Sequence, residues 1–366
     1  MRYEPIAFSE IEGWSATDHA LALTAFCVSS AALAACTPQR QGASAPLGSA
    51  LTLLGEVASR SSALNDPRSF FERHFLPHRV CNNSIHGLVT GYFEPEYPAS
   101  RSASSEYPVP IHSRPASLVN VVSEIDRAND AQPQGRGYTH LQRTPDGLVP
   151  MPDRKAIDQG GLAADAPVIF YVRDIVDRFV MQVQGSARLR LPDGSAVRIT
   201  YDGKNGYPYT SIGRLLIDRG YLGADEVTLD RLVDWLKADL ERAREIIWAN
   251  QSYVFFRELA RTDGPQGVLD CSLTPGYSLA VDPSYHQLGL PIFVEAPELR
   301  HVPDCIPFRR LMIAQDVGSA IKGPERGDIF IGGGAAAGSI AGAIKHSAAF
   351  TVLFPSMIPP QPASRP

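Results

Sequence analysis

Apolar side chains recur at helical spacing in the first eighty residues and at strand spacing over most of the remaining chain. Between Leu21 and Cys36, the residues Leu21, Ala25, Val28 and Ala32 fall on one helical face, and Leu51, Leu54 and Val57 repeat the spacing. Gln39 to Ser49, polar and small, reads as a connection. The pattern changes at Leu88. Val89-Thr90-Gly91-Tyr92-Phe93 is β-branched and aromatic, and Pro95 and Pro98 close it, which predicts a strand. Residues 99 to 150 are loop-rich, with a short strand at Val109 to His112. Val168 to Val172 and Phe179 to Gln184 are apolar or alternating and read as strands. Ala187 to Leu191 and Ala196 to Tyr201 flank Asp193-Gly194, a hairpin signal.

A helix is expected from about Ser211 to a cap at Gly220. A stronger one comes next, in which Leu229, Leu232, Val233, Leu236, Leu240, Ala243 and Ile247 form one stripe. Strands return at Val254 to Phe256, Ser278 to Val281, Ile292 to Glu295, Arg310 to Gln315 and Ile329 to Ile331, separated by Gly and Pro turns. Residues 332 to 346 are mostly Gly and Ala and suit either a loop or a helix of small side chains. The last ten residues are Pro-rich and expected to fray.

Composition narrows this picture. A chain of 366 residues suggests about two domains. Thirty-four Lys and Arg against 39 Asp and Glu give a net charge of −5, and the pI is near 6.0. That balance argues against a nucleic-acid backbone binder. Gly 30 and Pro 30 favour a turn-rich β fold over a helical bundle. Five cysteines, Cys27, Cys36, Cys81, Cys271 and Cys305, include no CxxC pair, so neither a zinc site nor a dense disulfide framework is expected. One or two disulfides stay open. Leu33-Ala34-Ala35-Cys36 imitates a lipoprotein cleavage site, but Glu4, Glu10, Glu12 and Asp18 precede it against Arg2 alone. A signal needs a positive flank, so a first helix of the folded domain is the better reading.

Three aspartates carry the candidate chemistry. Asp282, Asp316 and Asp328 each border an apolar run where it meets a Gly or Pro turn. Strand ends place side chains at the mouth of a barrel. Clustered carboxylates raise one another's pKa, so one of them can stay protonated near neutral pH and serve as a general acid. Turn aspartates without chemistry are the alternative.

The stretch from Gly264 to Phe330 resembles the three-aspartate domain of the membrane-bound lytic murein transglycosylase A (MltA) family. Leu273-Thr274-Pro275-Gly276, Ala280-Val281-Asp282-Pro283, Ala314-Gln315-Asp316-Val317-Gly318-Ser319-Ala320-Ile321-Lys322-Gly323 and Gly327-Asp328-Ile329-Phe330 carry it. Upstream, Val89 to Pro95, Gln182-Val183-Gln184-Gly185-Ser186, Lys204-Asn205-Gly206 through Arg214, and Ser252 to Arg257 are similar as well. The resemblance implies a mainly β fold with helices (α+β). A double-psi β-barrel is built from both chain ends, 1–97 and 250–366. A smaller β-rich domain, 98–249, is inserted, with glycan in a groove between them.

It also implies a reaction: cleavage of the β-1,4 bond between N-acetylmuramic acid and N-acetylglucosamine without water, leaving a 1,6-anhydro end. The C6 hydroxyl attacks its own anomeric carbon, so one carboxyl serves as acid and then base where ordinary glycosidases use two. By resemblance Asp328 is that residue, with Asp282 and Asp316 positioning it and tuning its pKa. Thr90, Gly91 and Tyr92 line the groove. Gln184, Gly185 and Ser186 are candidates for bonding N-acetyl groups; Tyr92 or Tyr207 stacks on a sugar or is simply a buried tyrosine, and Lys322 pairs with Asp316 or glycan or is a solvated lysine. No metal or cofactor is expected. Peptidoglycan strands are the implied partner, for a monomer in the periplasm, with the outer membrane or cell-wall machinery nearby.

Ala187 stands where the family leads one to expect Gly, and Gln251 where it leads one to expect Pro. Both touch loop geometry and leave the aspartates in place. The competing readings are a glycan-binding module that does not cut and a hydrolytic muramidase on the same fold. A zinc protease is disfavoured because His74 and His78 enclose Pro77 and lack the motif glutamate. An aspartic protease is disfavoured because neither Asp316-Val317-Gly318 nor Asp282-Pro283-Ser284 is its elbow.

Overall fold

Strands that are apolar at every position must be covered on both faces, and here they form the centre of a barrel. The computed structural model describes residues 1–35, 45–81, 87–121, 138–162, 166–223, 228–260, 264–300, 302, 307–318 and 320–357. Cys36, most of the 39–49 connection, Cys305, Ser319 and nearly all of the Pro-rich end lie outside the described residues.

In chain order the strands are β1 (Arg2–Pro5), β2 (Phe75–Cys81), β3 (Gly87–Glu94), β4 (Glu96–Ser100), β5 (Val109–His112), β6 (Leu118–Asn120), β7 (His140–Thr144), β8 (Gly147–Val149) and β9 (Val168–Val172). They continue as β10 (Ser186–Arg190), β11 (Ala196–Lys204), β12 (Val254–Leu259), β13 (Ser278–Val281), β14 (Pro291–Ala296), β15 (Phe308–Val317), β16 (Arg326–Gly333) and β17 (Lys345–Pro355). The long β17 pairs with β14 and also with β3, so the order β14-β15-β13-β16-β3-β17 closes on itself. This is a mixed α+β fold around a closed six-stranded barrel. β2 and β1 extend it along the C-terminal half of β17.

The chain divides into two packed units. The first holds Met1–Tyr92, Gln266–Gly332 and Ala343–Pro366. Helices His19–Ala35 and Ala45–Ala58 pack in it at a close crossing, where a Cβ on Gly55 would stand 2.2 Å from Ser30 Cβ. Only glycine fits there. The buried face of the first helix runs through Ala22, Leu23, Ala25, Phe26, Ser29, Ser30 and Leu33, so Ala25 of the expected face is buried while Leu21 is 45% exposed. The expected face through Leu21 is therefore rotated. Phe26 sets the rotation by entering an aromatic cluster with Phe70, Phe71 and Phe75 at centroid separations of 5.7 to 6.2 Å. Such pairs add about 0.5–1.5 kcal/mol each beyond their buried area. Ala45–Ser49, expected as connection, is already helical.

The second unit is Phe93–Pro265 with Gly333–Gly342. It contains a six-stranded sheet, β12-β11-β10-β4-β9-β5, and a small one, β6-β7-β8. The sequence reading cuts at 97/98 and 249/250. The packing instead keeps β4 with β10 and β12 with β11, because their ladders pair Arg188 with Glu96 and Tyr201 with Phe256. The Gly/Ala stretch is a helix, Gly334–Ala343. Its Gly338 lies against the Phe93 ring, and its Ser339 hydroxyl donates to Asp230.

Two expectations fail here for local reasons. Phe179 to Gln184 is not a strand but the end of helix Ile175–Gln184. Asp174 caps it by accepting from the Asp177 amide at 2.8 Å, and Gly185 at φ +80° ends it. The apparent alternation begins inside a stripe that starts at Val176. The stripe from Leu229 to Ile247 is two helices, Leu229–Lys237 and Leu240–Trp248. Asp239 breaks it by accepting from the Glu241 and Arg242 amides, a new N-cap in mid-stripe.

Candidate active site

Ala280 sits at the middle of the site. It lies in β13 between β15 and β16, opposite Asp316 on one side and Asp328 on the other. Directly opposed residues share a sheet face, so the two carboxyls flank one methyl group. A bulge makes this possible. Leu279 pairs with Ala314, but Ala280 pairs with Asp316, skipping Gln315. Without the extra residue the Asp316 side chain would face the other side of the sheet. Gln315 turns into the interior, where it accepts from Ser278 Oγ and donates to the Ala25 carbonyl at 3.2 Å.

Asp328 Oδ1 accepts from Thr90 Oγ1 at 2.6 Å, and Thr90 Oγ1 in turn accepts from Arg326 Nη2 at 2.9 Å. A guanidinium only donates, so this chain fixes the direction of the hydroxyl: its proton points at Asp328. Asp316 Oδ1 accepts from the Val268 and Val317 amides at 3.1 and 2.9 Å, and Oδ2 accepts from the Tyr92 hydroxyl at 3.1 Å. Asp282 is different. Its carboxyl is buried, and its two oxygens accept from the Ser284 amide at 3.0 Å and the Gly323 amide at 2.8 Å.

Asp316 and Asp328 are half-buried residues, and the surrounding protein removes most of the water from their carboxyls. That loss of water pushes both up to about 6. For Asp316 the two amides and Tyr92 oppose the shift, and the charge of Asp328 is the smallest contribution; for Asp328, Thr90 and then Arg326 oppose it. Burial, more than the mutual repulsion expected from the sequence, raises these groups. Tyr92 is pushed well above its usual range, first by burial and then by the Asp316 charge, so its hydroxyl keeps its proton and donates.

Of the remaining candidates, Thr90, Gly91 and Tyr92 lie on β3, and the Tyr92 ring stands 5.3 Å from that of Phe330. Lys322 is half-buried on the loop between β15 and β16. The cation bonded to Thr90 beside Asp328 is Arg326, which the sequence reading passed over. Its signal was the i, i+2 spacing to Asp328 along one strand face. Gln184, Gly185, Ser186 and Tyr207 belong to the second unit. There Gln184 Oε1 accepts from the Phe93 amide at 3.1 Å, Ser186 pairs with Thr200, and the Tyr207 ring meets that of Tyr138 at 5.1 Å.

Family models described as the MltA specific insert domain and the 3D domain match residues 88–257 and 277–354. A solved membrane-bound lytic murein transglycosylase from Agrobacterium tumefaciens is 37% identical, with a TM-score of 0.86 and 98% of each chain covered. MltA from Neisseria gonorrhoeae is 30% identical, with a TM-score of 0.78, covering all of this chain and 94% of that one. Membrane-bound lytic murein transglycosylase A of Vibrio cholerae is 30% identical over 71% of this chain. The match spans only 63% of that relative's own length.

Proposed function

The chain belongs to the membrane-bound lytic murein transglycosylase A family, and we propose that it is a peptidoglycan lytic transglycosylase of the bacterial cell envelope. The observation that carries this reading is a half-buried carboxyl, Asp328, raised to about 6 and locked on one oxygen by Thr90. A group titrating near the working pH is suited to giving a proton and taking one back.

Asp328 in its acid form protonates the oxygen that links muramic acid C1 to the next sugar. The C1–O4 bond breaks, and muramic acid O6 attacks C1. The carboxylate then takes the O6 proton, so the C1–O6 bond replaces C1–O4 and no water is consumed. Thr90 donates to Oδ1 and stabilises negative charge there, which leaves Oδ2 to carry the mobile proton. Arg326 polarises the Thr90 hydroxyl and supports the carboxylate after the first transfer. Asp316 tunes the site, and Asp282 positions it. Thr90, Gly91, Tyr92 and Lys322, with Gln184, Gly185, Ser186 and Tyr207 of the second unit, are the proposed glycan contacts. An intramolecular nucleophile arrives already placed, which supplies much of the rate.

Mass spectrometry of the products from purified sacculi tests the reading. Anhydro-muropeptides from the wild type and none from Asp328→Asn support it. Products heavier by one water make the enzyme a hydrolase. Release of nothing by a folded wild type leaves a glycan-binding module.

A further inference from the structure

Residues 320–325 lead into β16 and Asp328, so how they are held sets how β16 enters the site. Two side chains from one turn hold them. After β13 the chain makes a tight turn in which the Tyr285 and His286 amides both donate to the Asp282 carbonyl at 3.0 Å. Asp282 Oδ1 caps that turn at Ser284, and Oδ2 accepts from Gly323 at 2.8 Å. His286 is fully buried, and its Nε2 lies 2.6 Å from the carbonyl of the next residue, Pro324. A carbonyl only accepts, so the proton is on Nε2 and Nδ1 is bare; Nδ1 is buried with no hydrogen-bond partner among the described residues. An uncompensated acceptor in the interior is costly, and here it accompanies a single well-placed donor.

The consequence runs along the loop. The Glu325 carbonyl accepts from the Leu88 amide at 2.8 Å, two residues before Thr90, and Arg326 reaches Thr90 itself. Holding Gly323 and Pro324 therefore aligns β16 with β3, and that alignment brings Thr90 to Asp328.

We propose that Asp282 and His286 form a two-point clamp on Gly323-Pro324 that positions Asp328 against Thr90, so that both are positioning residues and neither exchanges protons with substrate. His286 stays neutral because burial pushes it down to about 4, with the Pro324 carbonyl and Asp282 opposing. The facing groups are Asp282 and the Phe350 ring, whose centroid is 6.2 Å away. The clamp is thus insensitive to pH across the working range.

The proposal rests on the reading of Asp328 as the acid, so its test has one arm that needs no turnover. In the full chain, glutamine at 286 puts its amide NH2 where Nε2 stands, and asparagine puts it where Nδ1 stands. His286→Gln is expected to keep activity on sacculi within about threefold. His286→Asn should lose about 10- to 100-fold in kcat with KM nearly unchanged, the usual cost of a small misplacement. NMR titration of Asp328 should show its pKa higher by about half a unit or more in His286→Asn as the Thr90 donor moves away, and unmoved in His286→Gln. Asp282→Asn should speed amide exchange at Gly323. Equal kcat and equal Asp328 titration in the two His286 variants overturn the clamp. A wild type that releases no anhydro product overturns the function while the titration and exchange arms still decide the clamp. Failure of His286→Asn alone to fold, with His286→Gln native, makes His286 a folding determinant, and the positioning claim then stands or falls on Asp282→Asn moving the Asp328 titration.

Discussion

Buried carboxyls in the two units are treated in opposite ways. In the second unit Asp158 meets Arg178 at 2.5 Å and accepts from the Trp248 indole at 2.9 Å, with both charged side chains under a tenth exposed. Arg154 stands in the same network, bonded through the Asn250 carbonyl and Gln182 and pushed down to about 10 by burial and then by Arg178. In the first unit Asp316 and Asp328 are held by amides and hydroxyls, with Arg326 hydrogen-bonded to Thr90 and acting on Asp328 by its charge. A directly bonded guanidinium favours the charged form of a carboxyl, although burial can still prevail, as it does at Glu94 beside Arg198. A hydroxyl in between leaves the proton mobile. Among the described residues Asp316 has no guanidinium partner and Asp328 has one a hydroxyl away, and burial raises both to about 6; Asp158 differs from them in having its cation bonded to it directly.

The sharpest break of this comparison is Asp328→Asn. Loss of a general acid is expected to lower lytic activity by about 10²- to 10⁴-fold, read as anhydro-muropeptide release. Near-normal turnover would move the acid elsewhere. The counterpart in the scaffold is Asp158→Asn, which strands Arg178 as a buried cation. It should cost about 3–5 kcal/mol in urea unfolding, followed by the fluorescence of Trp248 beside it, while folded molecules keep their activity. Loss of activity without loss of stability would mean that this network serves the chemistry.

One side of this contrast was legible in the sequence, because strand-end aspartates and their flanking apolar runs are local signals; nothing there singled out Asp158 or Arg178. β13, β14, β15 and β16 contain the runs that predicted them. What separates the three aspartates was not legible. It depends on a bulge that skips Gln315, on a turn that spends both oxygens of Asp282, and on Thr90 arriving from a strand 238 residues away. Each is a tertiary fact without a sequence period. The same holds for Phe26, whose partners are the phenylalanines at 70, 71 and 75, and for Asp239, whose cap cuts a stripe that periodicity alone continues.

A smaller effect tests the energetic side. Both carboxyls titrate near 6 in the fold against 3.8 in the open chain, so between about pH 4 and 6 the folded protein binds more protons than the unfolded one. Their contribution is fully present below pH 4 and is lost as pH rises through 6. Discounted for the surface they keep, that is about 1–3 kcal/mol per group. Asp328→Asn should therefore be more stable than the wild type at pH 7 and equal to it at pH 4, by thermal unfolding at both values. A variant less stable at pH 7 would show that the ionised carboxylate is compensated after all.

The mildest change addresses the relay itself. Thr90→Val keeps the β-branched shape that suits β3 and removes only the hydroxyl. Thr90 holds the Asp328 pKa down, so its loss should move that pKa upward from about 6, by about one unit for a charge-assisted hydrogen bond. The acidic carboxyl then gives up its proton less readily. The pH optimum of lysis should shift to higher pH by a similar amount, with the rate at pH 7 within about tenfold of the wild type by the same free-energy scale. Thr90→Ser restores the donor and should restore the profile. If the valine variant titrates as the wild type does, the Thr90 hydroxyl is a packing neighbour, and Arg326 then acts on Asp328 through space with no relay between them.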